Sequence, residues 1–216
     1  MTNIHADQEV RRANAVLLGL AFIYFLLEWI PGVIGEYGYF IDEFYFVACS
    51  NHLALGFVDH PPLSVFLLSL VRAVAGDSLV ILRFFPALAG GATVWVTGMI
   101  ARRLGADGYG QAMAAGAVIV GSIYHITFSY YSMNAFSILL WAVCFWILVE
   151  IERRDEPRLW ILFGALTGLA LENKHTFVLL LVGLAAGMVL THARRHFRSR
   201  WLWIGCAIAA LLILPN

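Results

Sequence analysis

Charge is what this chain has least of. Of its 216 residues only 13% are charged, against 61% hydrophobic, where a soluble globular chain carries roughly a quarter charged residues. That deficit leaves too little polar surface to cover a water-soluble body. Lipid is therefore the expected solvent, and a sizeable soluble domain is excluded. Basic tracts interleaved with aromatic residues are also missing, which excludes a nucleic-acid surface. Cysteine is sparse: Cys49, Cys144 and Cys206 lie far apart without metal or redox spacing and read as small apolar side chains. No small-x-small cleavage site follows the first apolar stretch, so that stretch reads as a retained anchor rather than a removed signal. Internal repeats and low-complexity linkers are absent too.

What is present is a series of apolar runs separated by breakers. A transmembrane helix needs about 20 mostly apolar residues, and helical runs are expected over residues 15–30, 63–75, 79–100, 111 to about 124, 133–149, 159–171, 176–190 and 201–214. Pro31-Gly32 stops the first, and a mixed stretch, 33–62, follows it. Gly76 ends the short run 63–75, and Asp77 or Ser78 is placed to cap the next helix. The expected architecture is all-α and integral to the membrane: about seven transmembrane helices, with interfacial helices in the first loop.

Orientation follows from Lys and Arg. The clusters are Arg11-Arg12, Arg102-Arg103, Arg153-Arg154 with Arg158, and Arg194-Arg195 with Arg198 and Arg200. Placing all of them in the cytoplasm gives a consistent topology if 15–30 spans and 63–75 does not. The N-terminus is then cytoplasmic, and every basic residue except Arg72, Arg83 and Lys174 lies inside. The turn 172–175 falls in a short hairpin, where irregular polar backbone is tolerated only inside a protein-lined cavity.

With that topology, polar residues gather on the outer side. The first loop supplies Glu36, Asp42, Glu43, His52, Asp59 and His60. The second supplies His125, Tyr130, Tyr131 and Asn134, and the third Glu172, Asn173, Lys174 and His175, with Arg83 about one turn into its helix from the same side. Ionisable groups at a membrane are costly and are functional candidates by default. Residues 42–55 read as an amphipathic helix with an acidic start, suited to the headgroup layer; the plain alternative is an anchor with solvated acids. In Asp59-His60-Pro61-Pro62, two prolines stiffen the start of the next helix. That carboxylate and imidazole could bind a metal, orient a sugar or pair with a base, or simply form a stiff turn; two ligands are too few to define a metal site. Lys174 and His175 suit a phosphate; the alternative is Lys174 paired with Glu172 and snorkelling outward. The aromatic residues read as lipid-facing or interfacial.

The runs Gly38-Tyr39-Phe40-Ile41-Asp42-Glu43-Phe44-Tyr45 and Gly56-Phe57-Val58-Asp59-His60-Pro61-Pro62-Leu63 resemble the first outer loop of GT-C fold, polyprenyl-phosphate-dependent glycosyltransferases. More closely, they resemble the bacterial family 39 type, related to protein O-mannosyltransferases and aminoarabinose transferases. Leu82-Arg83-Phe84-Phe85-Pro86, Arg102-Arg103-Leu104-Gly105, Asn134-Ala135-Phe136, Asn173-Lys174-His175 and Leu214-Pro215-Asn216 match in order and spacing. The resemblance implies inverting transfer of a sugar from a polyprenyl-phosphate donor to a hydroxyl of a glycan, lipid or protein acceptor, outside the plasma (bacterial inner) membrane. It implies Asp42 as general base with Glu43 beside it. Lys174 takes the phosphate position, with His175 or Arg83 assisting, and Asp59, His60 and Asn134 lie near the donor. No cofactor is required by the resemblance; some relatives use a divalent cation near the Asp59-His60 position and others do not. Many relatives carry Asp where Asn134 stands, and Asn cannot act as a base. Relatives also continue beyond Pro215-Asn216, so the expectation is a single catalytic-core domain, 1–216, without the C-terminal helices and soluble outer domain. The competing readings are a transporter or channel, which would carry ionisable groups near mid-membrane and related halves, and an inactive truncated scaffold.

Overall fold

In the computed structural model, which describes residues 2–35 and 37–214 with side chains from residue 8 onward, the apolar runs fold as helices, and no strand occurs among the described residues. Glu36 of the outer-loop acids and the terminal Pro215-Asn216 lie outside the described residues. The helices are α1 (Thr2–Ile34), α2 (Ile41–Ser50), α3 (Leu63–Ala75), α4 (Leu79–Arg103), α5 (Gly108–Val120), α6 (Ser122–Phe128), α7 (Met133–Arg154), α8 (Leu159–Asn173), α9 (Val178–Leu190) and α10 (Arg200–Ile213), with 3-10 turns at His175–Phe177 and His192–Arg198.

Several boundaries differ from expectation for identifiable reasons. Helix α1 does not stop at Pro31; it runs on to Ile34, and the Pro31 carbonyl accepts from Gly35 N–H at 2.9 Å. Gly32 makes room there for α4, since a Cβ on it would lie 2.9 Å from Cδ of Arg83. The amphipathic helix of the first loop ends at Ser50 rather than at 55. The run expected over 111–124 is two helices, α5 and α6, bent by 66° at Gly121. A helix end leaves carbonyls in need of donors, and His125 Nε2–H donates to Ile119 O at 2.6 Å.

Three helices, over Gln8–Ile34, Leu79–Arg103 and Met133–Arg154, are long and apolar enough to cross a membrane, or five if α5–α6 and α9 with its 3-10 turns each count as one bent span. Helices α8 and α10 have 15 and 14 residues. At about 1.5 Å per residue they fall short of a hydrocarbon core about 30 Å thick, so length alone does not reach the expected seven spans. They pair with each other at very close range. A Cβ on Gly164 would sit 2.1 Å from Gly205 O, and one on Gly205 2.2 Å from Trp160 O. Small residues at spacing four let helix backbones approach in this way inside lipid.

Three apolar cores follow one another along the chain. One joins α1, α4, α5, α6 and α7 around Leu17, Tyr24, Val94 and Phe128. A second joins α7 to α10 around Ile151, Trp160 and Phe177. The third sets α2 and α3 against α4 through Phe46, Val65, Leu68 and Tyr131. The basic clusters meet at one end of the bundle. Arg103 pairs with Glu150, Arg153 donates to Arg103 O, Arg102 reaches Val10 O at 3.4 Å, and Glu152 pairs with Arg195 and His196. The opposite end carries α2 and the polar loops.

Candidate functional site

At that opposite end, α2 begins with Asp42 and Glu43, and the two neighbours have opposite fates. Glu43 is fully buried. Its carboxylate accepts from Arg83 Nε at 3.0 Å, Arg83 Nη2 at 2.8 Å, Phe40 N–H at 2.8 Å and Tyr131 N–H at 3.1 Å. Arg83 also donates from Nη2 to Gly38 O at 2.9 Å. A two-pronged guanidinium–carboxylate pair with backbone donors on its remaining lone pairs is the form in which buried charge is tolerated. The pair ties α2, α4 and the loop before α7 together. The Arg83 guanidinium, expected from the resemblance to assist at a donor phosphate, is engaged through Nε and Nη2 with Glu43 and Gly38. Asp42 is half-buried, and among the described residues no hydrogen-bond donor reaches its carboxylate. The Tyr130 phenol is held above its ordinary range by burial first, then by the charges of Asp42 and Glu43, so Asp42 and Tyr130 share one electrostatic neighbourhood.

Asp59 and His60, in the loop before α3, pack against α2 one turn beyond its acidic start, at Tyr45 and Phe46. Tyr45 O–H donates to Asp59 Oδ2 at 3.1 Å; partial burial, followed by this bond, pushes the Tyr45 phenol up to about 12. His60 is buried beneath the rings of Phe46, Phe57 and Tyr45, with centroids 4.8, 5.2 and 5.5 Å away. Its Nδ1–H donates to Pro61 O at 2.9 Å. Pro61 and Pro62 fix the backbone that makes this possible. The exposed Asp59 and the enclosed His60 do not converge, and no group of three or more His, Cys, Asp or Glu able to hold a metal ion occurs among the described residues. Asp59 and His60 by themselves supply too few converging ligands to hold a cation. Arg72 locks this loop to the bundle through Asp77, Ser50 and Asn51.

Lys174 is placed by the end of α8. Asn173, fully buried, donates from Nδ2 to Met133 O at 2.8 Å and so fastens α8 to the start of α7. Lys174 is extended, and its Nζ donates to Asn134 Oδ1 at 2.5 Å. Both line a groove of about 740 Å³. Tyr130, Ser137 and Thr176 share its polar end; Ile138, Trp141 and Phe145 carry its wall along α7. His175, exposed in the 3-10 turn, does not line it. A second pocket, of about 440 Å³, lies between the end of α1 and the loop 37–40, lined by Glu28, Tyr37, Tyr39, Phe40, Arg83 and Ser129 among others. Tyr130 lines both cavities, and its ring packs 4.4 Å from that of Phe40.

Asp42, Glu43, Arg83, Asn134 and Lys174 thus gather around Tyr130, while Asp59 and His60 stand apart. The sequence placed Tyr130 among the polar residues of the outer side without giving it a binding role, and it gave Trp141 and Phe145 none. For Trp141 and Phe145 the available signal was the face of α7 they share with Asn134 and Ser137, three to four residues apart.

Fold and site together define an all-helical, multi-pass membrane protein of GT-C type. The family described as dolichyl-phosphate-mannose-protein mannosyltransferase matches residues 59–216, and the chain belongs to that family, one of glycosyltransferases. The match begins at Asp59, so Asp42 and Glu43 precede it. No curated protein and no solved structure matches the chain.

Proposed function

We propose that this chain forms the catalytic core of an inverting glycosyltransferase of the bacterial inner-membrane kind, working on the non-cytoplasmic face. The donor is a sugar, mannose by family likeness, on a polyprenyl phosphate, and the acceptor is a hydroxyl of a glycan, lipid or protein. One observation supports this reading: Lys174 lies beside a groove lined largely by apolar side chains, where the hydroxyls of Thr93, Thr97 and Thr127 are turned onto carbonyls of their own helices. A single-charged headgroup on a long hydrocarbon tail has that polarity pattern.

In the proposed reaction the acceptor oxygen forms a bond to the anomeric carbon as the bond from that carbon to the phosphate oxygen breaks. Asp42 takes the acceptor proton as general base. The electron pair leaves with the polyprenyl phosphate, whose charge Lys174 stabilises, with Asn134 holding the ammonium in place. Glu43 and Arg83 act as positioning residues for Asp42. The gathering of the basic clusters at the other end of the bundle supports a cytoplasmic N-terminus by the distribution of Lys and Arg.

The test is transfer from a polyprenyl-phosphate mannose donor by membranes containing Lys174→Gln. Loss of one fixed transition-state donor predicts a fall of about 10²–10³ in kcat. Transfer at the wild-type rate would remove Lys174 from the phosphate role.

A further inference from the structure

The smaller pocket has a carboxyl group, that of Glu28, which the lining of the Lys174 groove lacks. Aromatic side chains Tyr37, Tyr39, Phe40 and Tyr130 surround polar groups from Glu28 and Ser129. Its volume of about 440 Å³ falls within the roughly 300–1,000 Å³ of small-molecule sites. Glu28 is only 4% exposed and receives His125 Nδ1 at one oxygen. The His125 ring is held from its other side by Ile119 O. The carboxyl group is thus fixed in place from α6 through one oxygen, and its other oxygen can accept from a hydroxyl donor. Aromatic faces against the C–H surface of a ring, with carboxylate and hydroxyl groups for its edges, suit a polyhydroxylated pyranose.

The two cavities meet at Tyr130. Tyr130 is the ring common to the two linings. We infer that the pocket formed by Glu28, Tyr37, Tyr39, Phe40, Ser129 and Tyr130 is the subsite for the donor's sugar. This rests on the reading of the Lys174 groove as the donor-phosphate site. Glu28 and Tyr37 then set which sugar is accepted, while the groove holds phosphate and tail.

Binding of two lipids to the full chain in phosphatidylcholine nanodiscs tests this: decaprenyl phosphate and its mannosyl ester. The wild type binds the mannosyl lipid more tightly. Glu28→Gln, which preserves shape, and Tyr37→Ala, at a side chain 79% exposed, each reduce that gain roughly tenfold, the size of one lost charge-assisted hydrogen bond or one stacked ring. Neither weakens decaprenyl phosphate itself. Lys174→Gln weakens both lipids. If Lys174→Gln weakens both but neither Glu28→Gln nor Tyr37→Ala alters the mannosyl gain, the subsite is wrong and the donor groove stands. If those variants instead raise only the acceptor KM, the pocket belongs to the acceptor and the inference is overturned. If Lys174→Gln weakens neither lipid, the donor-groove reading fails and takes the subsite with it.

Discussion

Glu43 and Arg83, forty positions apart in sequence, face each other fork to fork where α2, α4 and the loop before α7 meet. Removing one member leaves the other as an uncompensated buried charge, at a cost of about 3–5 kcal/mol. Arg83→Met is expected to lower thermal stability in detergent by that margin. The double variant Glu43→Leu with Arg83→Met should recover much of the loss, because a volume-matched apolar pair replaces a buried ion pair at little cost. It should not recover sugar transfer, since the backbone bonds from Phe40 and Tyr131 to Glu43 are also gone.

Asp42→Asn separates chemistry from folding. With no hydrogen bond to lose, the substitution should change stability by less than about 0.5 kcal/mol. Loss of a general base costs about 10²–10⁴ in transfer rate, read as single-turnover transfer in proteoliposomes. Full activity in a well-folded Asp42→Asn variant would reassign the base.

Desolvation of the Tyr45 phenol, followed by its bond to Asp59, gives the first loop an alkaline limit. The Tyr45 phenol sits at about 12 rather than its ordinary 10, so the folded state holds this proton more tightly than the unfolded state. The contribution is fully present below about pH 10 and is lost as pH rises from 10 towards 12. Tyr45→Phe should therefore flatten the decline in stability across that window, measured by chemical unfolding at stepped pH, and remove a late-titrating phenolate from the absorbance at 295 nm.

The α8–α10 crossing has no room for a side chain. Gly164→Leu places its Cβ within 2.1 Å of Gly205 O, where the obstacle is backbone. The expected cost is at least the 1–3 kcal/mol typical of overpacking. Gly183→Leu on α9, where nothing lies within 4 Å of a Cβ, should be close to neutral in the same melt.

Helix α3 was readable to the residue because Pro61-Pro62 and Gly76 bracket it with chemistry that cannot continue a helix. The break at Gly121 was not, because the apolar run carries on through Ile123 and a lone glycine inside such a run is tolerated. The overrun at Pro31 depends on α4 lying against Gly32, a long-range contact that local propensity does not encode. Asp42 and Lys174 could be singled out because charge at a membrane is conspicuous. The partner of Arg83 could not, since a guanidinium near three acids has no preference until the chain has folded. Tyr130 could be placed on the outer side but not given a role: aromatics at a membrane boundary are common, and only its place in the lining of two cavities marks this one.

Ile123, Ile126 and Phe145 line the Lys174 groove and are also among the exposed apolar side chains, so the groove is open along its flank. A ligand there need never leave the hydrocarbon phase. The concentration it responds to is a mole fraction within the bilayer, not an amount per volume of buffer. Diluting the vessel with water would leave occupancy almost unchanged, while adding inert phospholipid would lower it, and affinities for this groove have meaning only when quoted per lipid.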